Sequence, residues 1–284
     1  MFAIVDRKQL CPGITSLTIK APEIAKKHKP GQFVILRIDE TGERIPLTVA
    51  DKDPQAGTIT IMFQEVGKTT YKLARIPVGG ALKDLVGPLG SPTEIEYFGT
   101  TVSIGGGIGI PLLYPITKAL FEAGNHVVTI IGARTKELLV LEDEMRAVSK
   151  VFKVCTDDGS YGIHGFVTQE LQRMIDAKEP IHRIIGVGPV PMMRVLCNLT
   201  RPYGIKTIVS LNPIMVDGTG MCGACRCEID GRTRYACVDG PEFDGHQVNF
   251  DLLMKRLAMY KGQELISLER FKQEGGVTPQ QKEG

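Results

Sequence analysis

The sequence predicts a mixed β and α/β fold: an antiparallel β-barrel, then a doubly wound parallel sheet, then a small cysteine-bearing C-terminal segment. Three observations predict it. Up to about residue 98, short alternating apolar stretches are broken by turn residues, the rhythm of a small barrel. From about residue 99 the rhythm becomes strand, helix, strand, which gives a parallel sheet with helices on its faces. Between Asp217 and Cys237, cysteines gather among glycines.

At 284 residues the chain exceeds what one core usually organises. The changes of rhythm divide it into 1–98, 99–212 and 213–284. A net charge of +2 gives no reason for a nucleic acid or a membrane surface as partner. The 43% apolar content is that of ordinary globular proteins, and no apolar run reaches the length of a transmembrane helix. The N-terminus lacks the charged-then-apolar order of a secretory signal. Seven cysteines, an odd number concentrated in one loop, argue against a disulfide framework and for the reducing cytoplasm.

In the first unit, residues 2–5, 15–19, 33–38, 47–50 and 58–63 read as strands, with Pro22, Pro30-Gly31, Thr41-Gly42 and residues 54–57 as turns between them. Residues 69–74 read as a short helix. Arg44-Ile45-Pro46-Leu47-Thr48 places a cation and a hydroxyl four apart at the start of a strand. Arginine can bind a pyrophosphate in bidentate fashion, and Thr48 can bond a polar ring edge. Gly67-Lys68-Thr69-Thr70 opens the helix, and free amides there favour a phosphate. Taken singly, Arg44 also suits a surface position, and Thr69 or Thr70 an ordinary N-cap.

In the second unit, residues 101–104, 127–131, 152–155, 183–187 and 207–211 read as strands. Residues 111–123, 139–149, 167–177 and 191–200 read as helices between them. Such sheets bind ligands beyond the carboxyl ends of their strands. Gly105-Gly106-Gly107-Ile108-Gly109 follows the first strand, Asp157-Asp158-Gly159 the third, and Gly188-Pro189-Val190-Pro191-Met192 the fourth. Ile110 breaks the usual glycine fingerprint, and the second strand ends in Gly132-Ala133-Arg134 rather than an acid. Arg134 suits a 2′-phosphate or plain solvent. These glycines also suit nothing more than tight turns.

In the third unit, position 217, Cys222 and Cys225, with Cys237 more distant, fit the plant-type [2Fe–2S] spacing C-x4-C-x2-C, with Asp217 in the first cysteine's place. Gly218, Gly220 and Gly223 let the backbone wrap closely. This reads as an iron–sulfur site with Asp217, Cys222, Cys225 and Cys237 as ligands. Two other readings stay open: a structural zinc held by the three cysteines and Cys227, or an Asp217 that merely turns the chain, with Cys227 as the fourth ligand. Residues 250–260 and 265–271 show helical apolar spacing, suited to packing on the cluster segment or to docking a partner subunit. From Glu274 onward the composition reads as disordered.

The order of an Arg-x-Pro-Leu-Thr barrel, a Gly-Gly-Gly-x-Gly domain and a terminal cysteine loop resembles the ferredoxin–NADP reductase superfamily, and within it the electron-transfer subunits of the dihydroorotate dehydrogenase type. The resemblance implies that FAD binds the barrel through Arg44, Pro46, Leu47 and Thr48 and through Gly67, Lys68, Thr69 and Thr70. It implies a nicotinamide nucleotide, NAD(H), at Gly105, Gly106, Gly107, Ile108 and Gly109, at Asp157, and at Gly188, Pro189 and Met192. Dihydroorotate-type subunits have cysteine where this chain has Asp217. Aspartate there, with the long extension after Cys237, is similar to the small subunit of NADH-dependent ferredoxin–NADP oxidoreductase, the bifurcating transhydrogenase or sulfide dehydrogenase type. That likeness implies an NAD(H)-linked flavin and iron–sulfur subunit without a catalytic acid or base. It also implies a larger flavin/iron–sulfur subunit as partner, with ferredoxin served through it. The alternatives are the electron-transfer subunit of NAD-linked dihydroorotate dehydrogenase and a non-catalytic regulatory protein with a zinc loop.

Overall fold

In the computed structural model, which describes residues 1–276, the first third of the chain forms seven strands: β1 (Phe2–Cys11), β2 (Ile14–Lys20), β3 (Phe33–Arg37), β4 (Arg44–Asp53), β5 (Thr58–Gln64), β6 (Ala81–Leu82) and β7 (Asp84–Leu89). Their order is β6-β1-β2-β5-β4-β3-β7. The two outermost strands are separated in the chain by Lys83 alone, so the antiparallel sheet curls into a nearly closed barrel. Alternation places Leu17, Ile19, Ile59, Ile61 and Phe63 inside it, all buried. Two helices flank the sheet, α1 (Pro22–Lys27) and α2 (Lys68–Ala74). The sequence marks Pro22 as a turn; instead it occupies the first turn of α1, where its missing N–H costs nothing. Strands β6 and β7 are also unannounced, since they are short and interrupted by Gly87-Pro88.

One gap in this barrel matters for function. Residues 44–48 of β4 pair with β3, but β5 joins β4 only from Val49 onward. The other edge of Arg44–Thr48 therefore has no partner strand among the described residues. Pro46 stands within a strand without breaking a ladder on that side.

The second sheet is built from β8 (Thr100–Gly106), β9 (His126–Ala133), β10 (Val151–Thr156), β11 (Ile163–His164), β12 (Arg183–Val187) and β13 (Thr207–Ser210). Helices α3 (Gly109–Glu122), α4 (Glu142–Ala147), α5 (Val167–Asp176) and α6 (Val190–Thr200) make the connections. After β13 come a two-stranded ribbon, β14 (Arg226–Ile229) and β15 (Arg232–Tyr235), then β16 (Glu242–Asp244), α7 (Phe250–Leu257) and α8 (Lys261–Phe271). The sheet order is β11-β10-β9-β8-β12-β13-β16. All five expected parallel strands are present, and the order reverses between β8 and β12, the place where such sheets open a crevice. Two edges were unforeseen: parallel β11, and β16, which runs antiparallel to β13. Helix α4 is shorter than expected, because Leu141 takes a left-handed φ of 57° just before it. Residues 274–276, expected to be disordered, follow α8 in the segment Lys272–Gly276, whose helical path breaks at Gly275 with φ 79°; the rest of that expected tail lies outside the described residues. Among the described residues no helix is long and apolar enough to cross a membrane.

The three parts meet in one apolar cluster. It includes Phe33 and Ile35 from the barrel, Val209 and Met193 from the second sheet and its helix, and Cys225, Cys237 and Leu253 from the C-terminal segment. Glu242 of β16 closes the same junction: Thr93 Oγ1, on the segment leaving the barrel, donates to its carboxylate at 2.6 Å.

Two outcomes follow from this packing. A methyl group on Gly109 would collide with the Val187 carbonyl, whose carbon lies 2.6 Å from the Cβ position. Alanine's helix propensity is worth about 1 kcal/mol, while overpacking costs about 1–3 kcal/mol, so Gly109→Ala lowers the thermal midpoint measured by circular dichroism. An unchanged midpoint refutes this packing. Loss of hydration raises the Glu242 carboxyl from 4.5 to about 7, opposed by the Thr93 hydrogen bond and then by Arg183. The native state thus favours the protonated acid. Its contribution is full below pH 4.5 and disappears as pH rises through about 7. Glu242→Gln should flatten the midpoint's pH dependence across that window, as followed by thermal melts at stepped pH.

Candidate functional site

Three surfaces bearing the singled-out residues lie along the junction. The first is the open edge of β4. Arg44 is exposed and Pro46, Leu47 and Thr48 are half-buried. The Thr69 hydroxyl donates to the Glu43 carboxylate, so the start of β4 and the start of α2 are fastened together, and Arg44 lies beside Gly67–Thr70. The threonine hydroxyls themselves are engaged. Thr70 Oγ1 accepts from the Val66 and Gly67 amides at 3.0 Å each and donates to the Gly67 carbonyl at 2.9 Å, half of a capping box. The groups left for a ligand are the Arg44 guanidinium, which has no carboxylate partner among the described residues, the Lys68 ammonium, and backbone along the unpaired edge.

The second surface is a cavity of about 600 Å³ at the carboxyl ends of the parallel strands, a size typical of small-molecule sites. Gly106, Gly107, Ile108, Arg134, Asp157, Pro189 and Met192 line it. Gly105, Gly109 and Gly188 instead stand in its walls, for a packing reason. A Cβ on Gly188 would meet Met192 Cε at 2.7 Å, and one on Gly106 would meet Met192 Sδ at 2.6 Å. Gly107 has φ 53° and donates its N–H to the Gly132 carbonyl at 2.8 Å. Glycines thus let two βα turns and the thioether of Met192 close on one another.

Sequence reasoning missed Ile14 and Gln64, which reach this cavity from the barrel, and Phe166 and Thr168 at the start of α5. The turn Pro12-Gly13 was visible before Ile14, but nothing in the sequence tells that this hairpin tip lies over the strand ends. Arg134 and Asp157 are both exposed, and no ion pair joins them.

The third surface is the cysteine loop. The Asp217 carboxylate accepts from the Thr219 and Cys222 amides, each at 2.7 Å. Those amides, Thr219's foremost, hold its carboxyl below the ordinary carboxylate range. Cys225 and Cys237 are buried with their sulfurs 3.2 Å apart. Burial and then the Cys225 contact push the Cys237 thiol up to about 12; a bound cation reverses that preference and holds thiolates. Cys222 is exposed on the loop above them. Cys227 is buried in the apolar cluster, its thiol donating to the Cys225 carbonyl at 3.6 Å. Among the described residues no three potential ligands stand close enough to hold a metal ion as they are. The structure therefore unites Cys225 with Cys237 and ties Asp217 to the backbone of Cys222, without gathering all four side chains. The donor chemistry fits an iron–sulfur group: buried sulfur, an acid held ionised, and glycines at 218, 220 and 223 with φ of 81°, 84° and 66°.

The cysteine loop also touches the barrel. A Cβ on Gly218 would lie 2.5 Å from Leu89 Cδ1 and 2.9 Å from Ile35 Cδ1. Only glycine brings Asp217 and Cys222 that close to β3 and β7.

Comparison with known proteins agrees with this layout. Residues 212–249 match the iron–sulfur cluster binding domain of dihydroorotate dehydrogenase B. A Thermotoga maritima protein named as a homolog of the dihydroorotate dehydrogenase B (NAD(+)) electron transfer subunit is 48% identical, over 96% of this chain and 96% of its own. The electron transfer subunit of Bacillus caldolyticus dihydroorotate dehydrogenase B is 35% identical, over 86% of this chain and 96% of its own. A chain in the solved structure of an NADH-dependent reduced ferredoxin–NADP oxidoreductase superposes with a TM-score of 0.90 at 47% identity, covering 96% of this chain and 98% of that one. A ferredoxin reductase of carbazole 1,9a-dioxygenase, at 21% identity and a TM-score of 0.62, shares the fold over 72% of this chain. With a barrel, a nucleotide-type sheet and a cysteine loop in this order and these identities over nearly its whole length, the chain belongs to the family of dihydroorotate dehydrogenase B electron transfer subunits.

Proposed function

We propose that this chain passes electrons between NAD(H) and a larger partner subunit, by way of FAD at the barrel and a [2Fe–2S] cluster at the cysteine loop. The observation that carries this reading is the barrel's position between the other two sites. Ile14 and Gln64 form part of the strand-end cavity, and Ile35 and Leu89 sit against Gly218 of the cysteine loop. The functional units we propose are 1–98 for FAD, 99–212 for NAD(H) and 213–284 for the cluster segment with its C-terminal helices.

When bound, FAD would take a hydride from NADH and release electrons singly to the cluster. The chain's own residues bind, orient and exclude water. Arg44 offers a bidentate cation to the flavin's phosphates, and Thr48 a hydroxyl to its ring edge. Lys68 and the Gly67–Thr70 amides add positive potential at the same edge. Gly106, Gly107, Ile108 and Pro189 would let a nucleotide approach the sheet ends, Asp157 would offer it a carboxylate from the cavity's lining, and Met192 packs against Gly106 and Gly188. Asp217, Cys222, Cys225 and Cys237 are the proposed ligands, with Cys227 retained in the core. No side chain is needed as acid or base, since the hard chemistry belongs to the cofactors.

Aspartate at 217 and the 47% identity to the oxidoreductase chain favour a partner of that type, which would carry further redox centres and serve ferredoxin. We place its work in the reducing cytoplasm, where the thiols of a cysteine-rich loop stay available as ligands.

The deciding experiment is an anaerobic preparation of the full chain. It should be yellow-brown, contain FAD and two irons per chain, and reduce ferricyanide with NADH. A colourless protein holding one zinc per chain refutes the reading. Asp217→Cys should keep a cluster while changing its visible and electron paramagnetic resonance spectra, and Cys227→Ser should leave both spectra as they were. The reverse pattern assigns the fourth ligand to Cys227.

A further inference from the structure

The C-terminal helices do not share one neighbour. Helix α7 packs beside β14 and α6, on the cluster segment, but α8 crosses to the barrel and lies against α2. This contact is not an apolar seam. No residue of α8 is buried, and a cavity of about 460 Å³ remains between it and Lys68, within the range of small-molecule clefts.

The residues turned toward this cavity recur with helical spacing: Gln263, Ser267 and Arg270 interleaved with Ile266 and Phe271 on α8, and Glu274 just beyond its end. A helix docked for stability alone would present leucines there. This stripe presents one aliphatic residue, Ile266, and with it a cation, two neutral polar groups, a carboxylate and an aromatic ring. Opposite it, Lys68 supplies a second cation from the segment that is fastened to Arg44 through Glu43 and Thr69. Neither Arg270 nor Lys68 pairs with a carboxylate among the described residues. Two unpaired cations face each other across a gap, with Phe271 beside them and Glu274 one turn further on. That set matches an adenosine diphosphate: cations for the pyrophosphate, a ring surface for the adenine, and acceptors for its amino group and sugar hydroxyls.

We propose that α8 is a latch on the adenosine diphosphate half of FAD, gripping it between Arg270 and Phe271 on one side and Lys68 on the other. The inference rests on the barrel being the FAD site. The latch gives the extension after Cys237 a role in flavin retention, where the sequence suggested packing on the cluster segment or docking a partner. It predicts that the protein separates FAD from FMN, which keeps one phosphate but lacks the adenosine and second phosphate that α8 would hold.

The test uses full-length protein stripped of flavin and titrated with FAD, FMN and ADP, following flavin fluorescence and, for ADP, calorimetry. Arg270→Ala should weaken FAD about tenfold, equal to about 1.4 kcal/mol, and leave FMN unchanged. Arg270→Lys should recover part of the loss, and Glu269→Ala, beside the groove-facing stripe, should lose nothing. Hydrogen exchange should show α8 amides protected by FAD and not by FMN. If the parent protein binds FAD tightly and Arg270→Ala binds it equally well, the latch is wrong and the barrel site stands. If Glu269→Ala loses as much as Arg270→Ala, α8 acts only as a scaffold and the latch is again wrong. ADP binding to the FAD-loaded protein would make the groove a separate nucleotide site and overturn the proposal. If the parent protein binds neither flavin, the barrel reading and the latch fall together.

Discussion

The arrangement of this molecule depends on the close approach of Gly218 to Ile35 and Leu89. A side chain there would meet both, and at φ 81° it would also be conformationally strained. Because the backbone itself is the contact surface, the cysteine loop rests on the barrel wall rather than beside it. The same apolar cluster then encloses Cys225 and Cys237 together with Phe33, Val209 and Leu253. Their sulfurs are thus immersed in a low-dielectric core shared by every part of the chain, while Cys222 faces outward. Burial on one side and exposure on the other give the loop an inner face toward the barrel and an outer face toward solvent.

The crevice at the reversal point of the second sheet follows the same logic of missing side chains. Gly109 gives α3 its seat against the Val187–Gly188 backbone, and Gly106 and Gly188 leave room for Met192. These positions were singled out as nucleotide contacts, yet the structure assigns several of them to packing first. The two roles are compatible, since walls without side chains let helices start at the strand ends and leave the crevice mouth open. The barrel completes the crevice with Ile14 and Gln64.

Much of this was legible in the sequence, for reasons that can be named. Alternation on β2 and β5 and the apolar runs of β8, β9 and β12 reflect burial directly, so these strands were read nearly in place. The cysteine spacing is a local property and survives as a loop whose backbone is ready to turn. Short edges were not legible. Two residues of β6 or three of β16 carry no periodicity, and their pairing is decided by what lies across from them. Neither was the destination of α8, because its polar stripe resembles an ordinary solvated face until α2 is set opposite. The threonines of Gly67–Thr70 illustrate a different limit. Residue type pointed to ligand chemistry, whereas the folded chain uses the Thr70 hydroxyl to fasten its own turn and the Thr69 hydroxyl to tie that turn to Glu43 at the start of β4.

The missing partner along residues 44–48 of β4 has a consequence for the life of the protein before it is loaded. Backbone groups there present a short open edge on an otherwise nearly continuous wall, and such edges recruit foreign strands. A flavin lying along that edge would act as a surrogate strand. Proline at 46 removes one donor from the stretch, a built-in guard against self-association while the polypeptide waits for its prosthetic group.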